Sequence, residues 1–253
     1  MKRYTKTIVV GLLTVTFLII NSNLSYAKKE SDYINEAIKI SGGKVEECGL
    51  KVSIAINNEE DKDISKELEE KVCLQLLDGY KSYMGDKCNM TIQKNDFVYC
   101  INFEGSNISG YIESKNCDNH SVITMKLLQK TEKNELSDMK VEINKNIKKV
   151  FGDNKLKYKD NQINYYNYVK VKLSDINISN MNDEIIRYLK NQKVKNIDTV
   201  KINNGFSTSA YTESYERITN SGGWMDFNYM VNRYFSGTYL VIGTPVLDID
   251  FEQ

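Results

Sequence analysis

The chain has 253 residues, 34 basic against 34 acidic side chains, five cysteines, one His and one Pro. That length suits one large or two small globular domains. The balance of charge lacks the basic surplus with which nucleic-acid-binding proteins neutralise phosphates.

The first 27 residues read as a secretory signal peptide. Lys2, Arg3 and Lys6 form a basic start, Ile8–Ile20 is an apolar run, and Ser25 and Ala27 are small residues at a cleavage site before Lys28. The run is short for a membrane span. An uncleaved N-terminal anchor is the alternative, and it would be the chain's one contact with a membrane. Either way the remainder is expected outside the cytoplasm. Residues 28–253 keep 31 basic and 34 acidic side chains, a net charge of −3.

Apolar spacing then sets out the elements in order. A short helix carries Tyr33, Ile34, Ala37 and Ile38 and stops at Ser41-Gly42-Gly43. Leu50, Val52, Ile54 and Ile56 alternate with polar residues, as in a half-buried strand. Asn57–Asp63 is an acidic loop without the glycine and distal Glu of a calcium site. Leu68, Val72, Cys73, Leu76, Leu77, Tyr80 and Met84 form one stripe and predict a helix over 64–84. Four strands follow as a meander, at 90–93, 97–103, 108–113 and 121–130. Leu136, Met139, Ile143, Ile147, Val150 and Phe151 predict a long helix with Gly152 as its stop.

A second cycle begins with a strand over 165–173, a helix over 180–193 and strands at 200–202 and 206–212. In the tail, Met225, Phe227, Tyr229 and Val231 share one parity, with Asp226, Asn228 and Asn232 on the other, wet side. After Ser236-Gly237 come strands at 238–242 and 246–251, the last with Leu247, Ile249 and Phe251 inward. The fold class is α+β, with antiparallel sheets and helices packed on one face. The order of elements suggests two pseudo-repeated halves, an N-terminal domain over 28–154 and a C-terminal domain over 155–253.

The tail also carries a pattern. Asn228, Arg233-Tyr234, Thr238 and Gly243-Thr244-Pro245, with Tyr211-Thr212 closing the stretch Gly205–Thr212, resemble the C-terminal motif of the YwmB family of exported bacterial proteins. The resemblance implies a fold similar to TATA-box-binding protein. It implies no catalytic residue and no cofactor, and a shared fold does not carry function with it.

Chemistry-bearing motifs are scarce. His120 reads as a surface turn residue, and no nucleophile elbow, phosphate-binding loop or HExxH helix is present. Cys48, Cys73, Cys88, Cys100 and Cys117 lack CxxC and zinc-ligand spacing; an odd count leaves at least one unpaired, and connectivity stays open. Cys73, on an apolar helix face, reads as a small buried hydrophobe. Asp248, Asp250 and Glu252 could imitate a glycosidase pair but read as solubilising charge. The tyrosines of 165–168 and 211–215 read as core and cross-strand partners, with a glycan-, peptide- or protein-binding face as the alternative. The expectation is a non-enzymatic binding module at the cell envelope, taking an envelope protein, peptide or glycan, with no metal, cofactor or nucleic acid. A cell-wall hydrolase with an unrecognised carboxylate site is the rival, and DNA binding a distant third.

Overall fold

The computed structural model describes residues 32–57, 65–84, 88–117, 120–158, 162–174, 177–220 and 222–247. Helix α1 (Asp32–Ser41) leads into strand β1 (Lys44–Asn57), then α2 (Lys66–Asp78) and the single turn α3 (Lys81–Met84). The meander follows as β2 (Asn89–Lys94), β3 (Val98–Glu104), β4 (Ile108–Cys117) and β5 (His120–Lys130). After α4 (Leu136–Asp153) come β6 (Ile163–Leu173), α5 (Ile178–Asn191), β7 (Lys195–Ile202) and β8 (Gly205–Tyr211). A small hairpin, β9 (Ile218–Asn220) with β10 (Gly223–Met225), precedes β11 (Phe227–Tyr234) and β12 (Gly237–Thr244).

Ten of these strands form one antiparallel sheet in the order β2-β3-β4-β5-β1-β6-β12-β11-β8-β7. The chain is α+β, as its periodicities imply. Strands β1 and β6, which lie on either side of residue 154, pair from Lys44 opposite Lys172 to Ile54 opposite Ile163. One main hydrophobic cluster draws on elements from both sides of that position.

The helices cover one face. Val52, Met125, Ile112 and Ile101 follow one another across β1, β5, β4 and β3, all buried beneath α2 and α4. Val169, Ile242, Tyr229 and Thr208 do the same across β6, β12, β11 and β8, beneath α1 and α5. Side-chain caps start two of the helices. Ser65 accepts from the Leu68 amide at 3.3 Å in α2, and Asn177 accepts from the Ser179 and Asn180 amides in α5. No helix among the described residues is long and apolar enough to cross a membrane.

Several expectations are corrected. The helix expected over 64–84 is divided at Gly79-Tyr80, although Leu76, Leu77, Tyr80 and Met84 are all buried. Gly152 is helical, and the stop falls at Asn154 and Lys155, where Lys155 takes φ +56°. Burial of Val150 and Phe151 carries the helix through the glycine. His120 opens strand β5 instead of sitting in a turn. Asp226, expected to face water, is fully buried. The segment Val246–Leu247 is no strand, and Leu247 packs on the helix-free face instead of the core face. Asp248, Ile249, Asp250, Phe251 and Glu252 lie outside the described residues.

Candidate functional site

The sheet face away from the helices has no helix over it among the described residues. Its centre is a band of lysines and tyrosines set by register. Lys51 on β1 stands opposite Lys126 on β5 and Tyr166 on β6, with its ammonium 5.3 Å from the Tyr166 ring centre. Lys170 and Lys172 on β6 approach the ring of Tyr239 on β12, at 4.8 and 5.9 Å. These distances are in the range of cation–π attraction.

The band runs into a cleft at the start of β1. A space of about 690 Å³ lies between the end of α1, the start of β1, the β5–α4 loop and the end of β6. A second, of about 500 Å³, adjoins it and shares Lys44, Val45 and Glu132. Both sizes fall within the range of small-ligand sites. Backbone irregularity shapes the cleft. Gly43 lies so close to β6 that a Cβ there would meet the Lys172 carbonyl at 2.6 Å. A register shift between Val45 and Glu47 then places Lys44 and Glu47 on the same face, as a bulge does.

Charge in the cleft is unevenly committed. Lys44 pairs with Glu132 at 2.5 Å, and Lys172 with Glu46 at 3.4 Å. Glu47 stands opposite Lys130 on one side and Lys170 on the other. It also accepts from the Tyr168 hydroxyl; burial first, and the Glu47 carboxylate second, push that phenol well above its ordinary value. Lys130, Lys133 and Lys170 make no ion pair among the described residues. Five lysines against three glutamates give the cleft walls a net charge of +2. The site is therefore locally basic on a chain whose residues 28–253 are net acidic.

The motif residues of the tail lie elsewhere and brace the β11–β12 hairpin at its two ends. Near the turn, Arg233 faces Thr238 across the ladder and donates from Nε to its hydroxyl at 3.4 Å. Tyr234 faces Gly237, and its ring lies 6.0 Å from that of Tyr239. At the far end Asn228 stands opposite Gly243, and its Oδ1 is buried without a hydrogen bond among the described residues. Thr244 accepts from the Asn167 side chain at 2.7 Å, and the Thr244–Pro245 peptide is cis. The chain then turns back over the sheet: a Cβ on Gly243 would meet the Val246 carbonyl at 2.5 Å. Because β11 keeps an unbroken register, Asn228 and Arg233 point to opposite faces.

Tyr211 ends β8 and Thr212 follows it into a second polar centre. The Asp226 carboxylate accepts from the Thr212 amide at 2.6 Å, the Thr212 hydroxyl at 2.9 and 3.0 Å, the Ser214 amide at 2.9 Å and the Tyr215 amide at 3.1 Å. With its oxygens so occupied, Asp226 holds a turn and has no lone pair aimed at a substrate. All five cysteines are free. Cys73 is buried, and its thiol is pushed up to about 12, chiefly by that burial.

The cleft residues were missed in the sequence because they meet only through strand register. Two signals were present: the double glycine before β1, and the run Val45-Glu46-Glu47-Cys48, which breaks the alternation of the strand.

No protein-family description matches the chain, and no curated protein matches it. Among solved structures, the chain aligns with one described as a hydrolase from Listeria innocua, at 9% identity over 81% of this chain and 89% of the other. The TM-score is 0.18, too low to establish a shared fold.

Proposed function

We propose that the chain is an exported, non-enzymatic binding module of the YwmB type that holds an anionic glycan of the cell envelope. The carrying observation is the lysine-lined cleft opening onto a helix-free sheet face. Anionic groups would meet Lys130, Lys170 and Lys133, and a sugar ring would lie against the half-buried Tyr166 beside Lys51.

A TATA-box-binding-protein-like arrangement in two pseudo-repeated halves is part of this reading. Counting outward from the centre, one half of the sheet runs β1, β5, β4, β3, β2 and the other β6, β12, β11, β8, β7. Each half places its first strand innermost and its second outermost, with a helix before the first strand and another after it. That correspondence supports descent from a duplicated unit.

Hydrolysis is the second reading, because Glu46, Glu47 and Glu132 line the same cleft. Glu132 and Glu46 are each engaged by a lysine, Lys44 and Lys172, so neither carboxyl is free to approach a glycosidic oxygen. Binding is therefore preferred. The test is co-sedimentation of the purified chain with isolated envelope material, beside the Lys130→Glu/Lys170→Glu double variant. Binding that is salt-sensitive and lost in the variant supports the proposal. Release of soluble fragments from purified wall would replace it with the hydrolase reading. Duplex DNA binding tighter than about 10⁻⁶ M would also overturn it.

A further inference from the structure

The two outer edges of the sheet differ in how they are protected. Strand β7 carries a register shift between Lys195 and Asp198, and presents Thr199 and Lys201 on the helix side. Bulges and edge charges of this kind discourage strand addition. Strand β2 has neither a bulge nor a proline, and all six of its residues are exposed. Its helix-side residues are Met90, Ile92 and Lys94; Met90 and Ile92 stand opposite the buried Phe103 and Ile101 of β3 and remain 53% and 58% exposed. Helix α2 reaches this edge through the Glu70–Lys94 ion pair and ends its cover there, leaving Leu74, one turn beyond Glu70, 44% exposed. Phe97, in the β2–β3 turn, is 69% exposed.

We propose that β2 is a self-association edge, on which a second copy of this chain adds its own β2 in antiparallel register. With Thr91 opposite Thr91 of the copy, Met90 meets the copy's Ile92 and Ile92 meets its Met90, on the helix side of both. Asn89 meets Gln93 on the other face. Sliding the copies to oppose Ile92 with Ile92 sets Met90 against Lys94, and sliding them to oppose Met90 with Met90 leaves Gln93 and Lys94 beyond the partner strand. All three registers are two-fold symmetric, and only the first sets both Met90 and Ile92 of each copy against an apolar residue of the partner strand. Lys94, the one charged residue of the strand, is already held by Glu70, so no uncompensated like charges meet at the seam.

The area sets the strength. Met90, Ile92, Leu74 and Phe97 together expose a patch on the order of 400 Å², large enough to mark an interaction surface. Two such patches with the paired strand edges approach roughly 1,000 Å², the lower bound of a specific interface. The dimer is thus weak and concentration-dependent.

Equilibrium sedimentation of residues 28–253, which hold every element of the sheet and core, tests this over micromolar to submillimolar concentrations. The expected result is a monomer–dimer equilibrium, weakened at least about tenfold by Ile92→Lys, with Val200→Lys on the β7 edge without effect. Hydrogen exchange at the amides of 89–94 should slow as wild-type concentration rises, a readout that holds even if a variant folds poorly. A wild-type chain that stays monomeric throughout overturns the proposal, even if it binds an extended foreign peptide along β2. So does a dimer indifferent to Ile92→Lys whose β2 amides exchange at a constant rate.

Discussion

Replacing Asp226 by Asn exchanges one oxygen for an NH2 group and changes little volume, yet the geometry gives it a large cost. The carboxylate is fully buried and receives three backbone amides and one hydroxyl from Thr212, Ser214 and Tyr215. An asparagine keeps one acceptor oxygen. If its amide nitrogen takes the Oδ2 position, it confronts the Ser214 and Tyr215 amides; in the Oδ1 position it confronts the Thr212 amide. Either way one or two charge-assisted bonds are lost, at about 1.5–3 kcal/mol each, and a buried donor is left facing a donor. We expect Asp226→Asn to cost about 2–4 kcal/mol, and Asp226→Ala, which strands all four donors, at least as much. Urea unfolding measures it. With a slope of about 2–3 kcal/mol per molar, a 3 kcal/mol loss moves the midpoint down by about 1–1.5 M at unchanged slope. Hydrogen exchange should accelerate at the Ser214 and Tyr215 amides. Midpoints within about 0.3 M of wild type for both variants, with those amides still protected, would refute the reasoning.

Phe227 is fully buried with the rings of Tyr33, Tyr215 and Tyr229 at 6.2, 6.4 and 6.1 Å, so Phe227→Ala should cost about 3–5 kcal/mol by the same assay. Removing the residues after Gly243 takes away Thr244, which accepts from Asn167, and Leu247, which packs beside Met230 and Tyr239; the thermal midpoint should fall, and an unchanged one would make the tail an appendage. Burial pushes the Cys48 and Cys73 thiols up from 9.0 to about 11 and about 12. Raised folded values mean that their stabilising contribution is intact below pH 9 and is lost as pH climbs toward those values, so unfolding midpoints should drop across that window and less so in a Cys73→Ala background. N-terminal sequencing of the exported chain should begin at Lys28 with KKESDY; a full-length product kept in the cytoplasm would remove the ground for export.

Period-two and helical spacing made most of the sheet and the helices readable, because Leu50, Val52, Ile54 and Ile56, or Ile143 and Ile147, are buried for the same reason that they are spaced. Parity failed where another part of the chain covers a face. Asp226 sits on the wet parity of β11, but the turn at 212–215 closes over it, and the turn announces itself only through the donors it supplies. Alternation alone puts Leu247 inward as though a strand continued, whereas the chain reverses after Thr244 and brings that side chain to the other face. The residues Asn228, Arg233, Tyr234, Thr238 and Thr244 were legible as a pattern, and their contacts lie within the β11–β12 hairpin and with β6. The cleft was not legible, since Lys44, Glu47, Lys130 and Lys170 are brought together by pairing between β1, β5 and β6, across more than a hundred residues of sequence.

The described chain enters through α1, which packs with α5 against β6 and β12 on the helix layer, and leaves at Leu247 on the opposite side of the sheet. Entry and exit thus lie on opposite faces. A partner joined just ahead of Asp32 would adjoin the helix layer, whereas one joined after Leu247 would adjoin the face that carries the lysines and tyrosines.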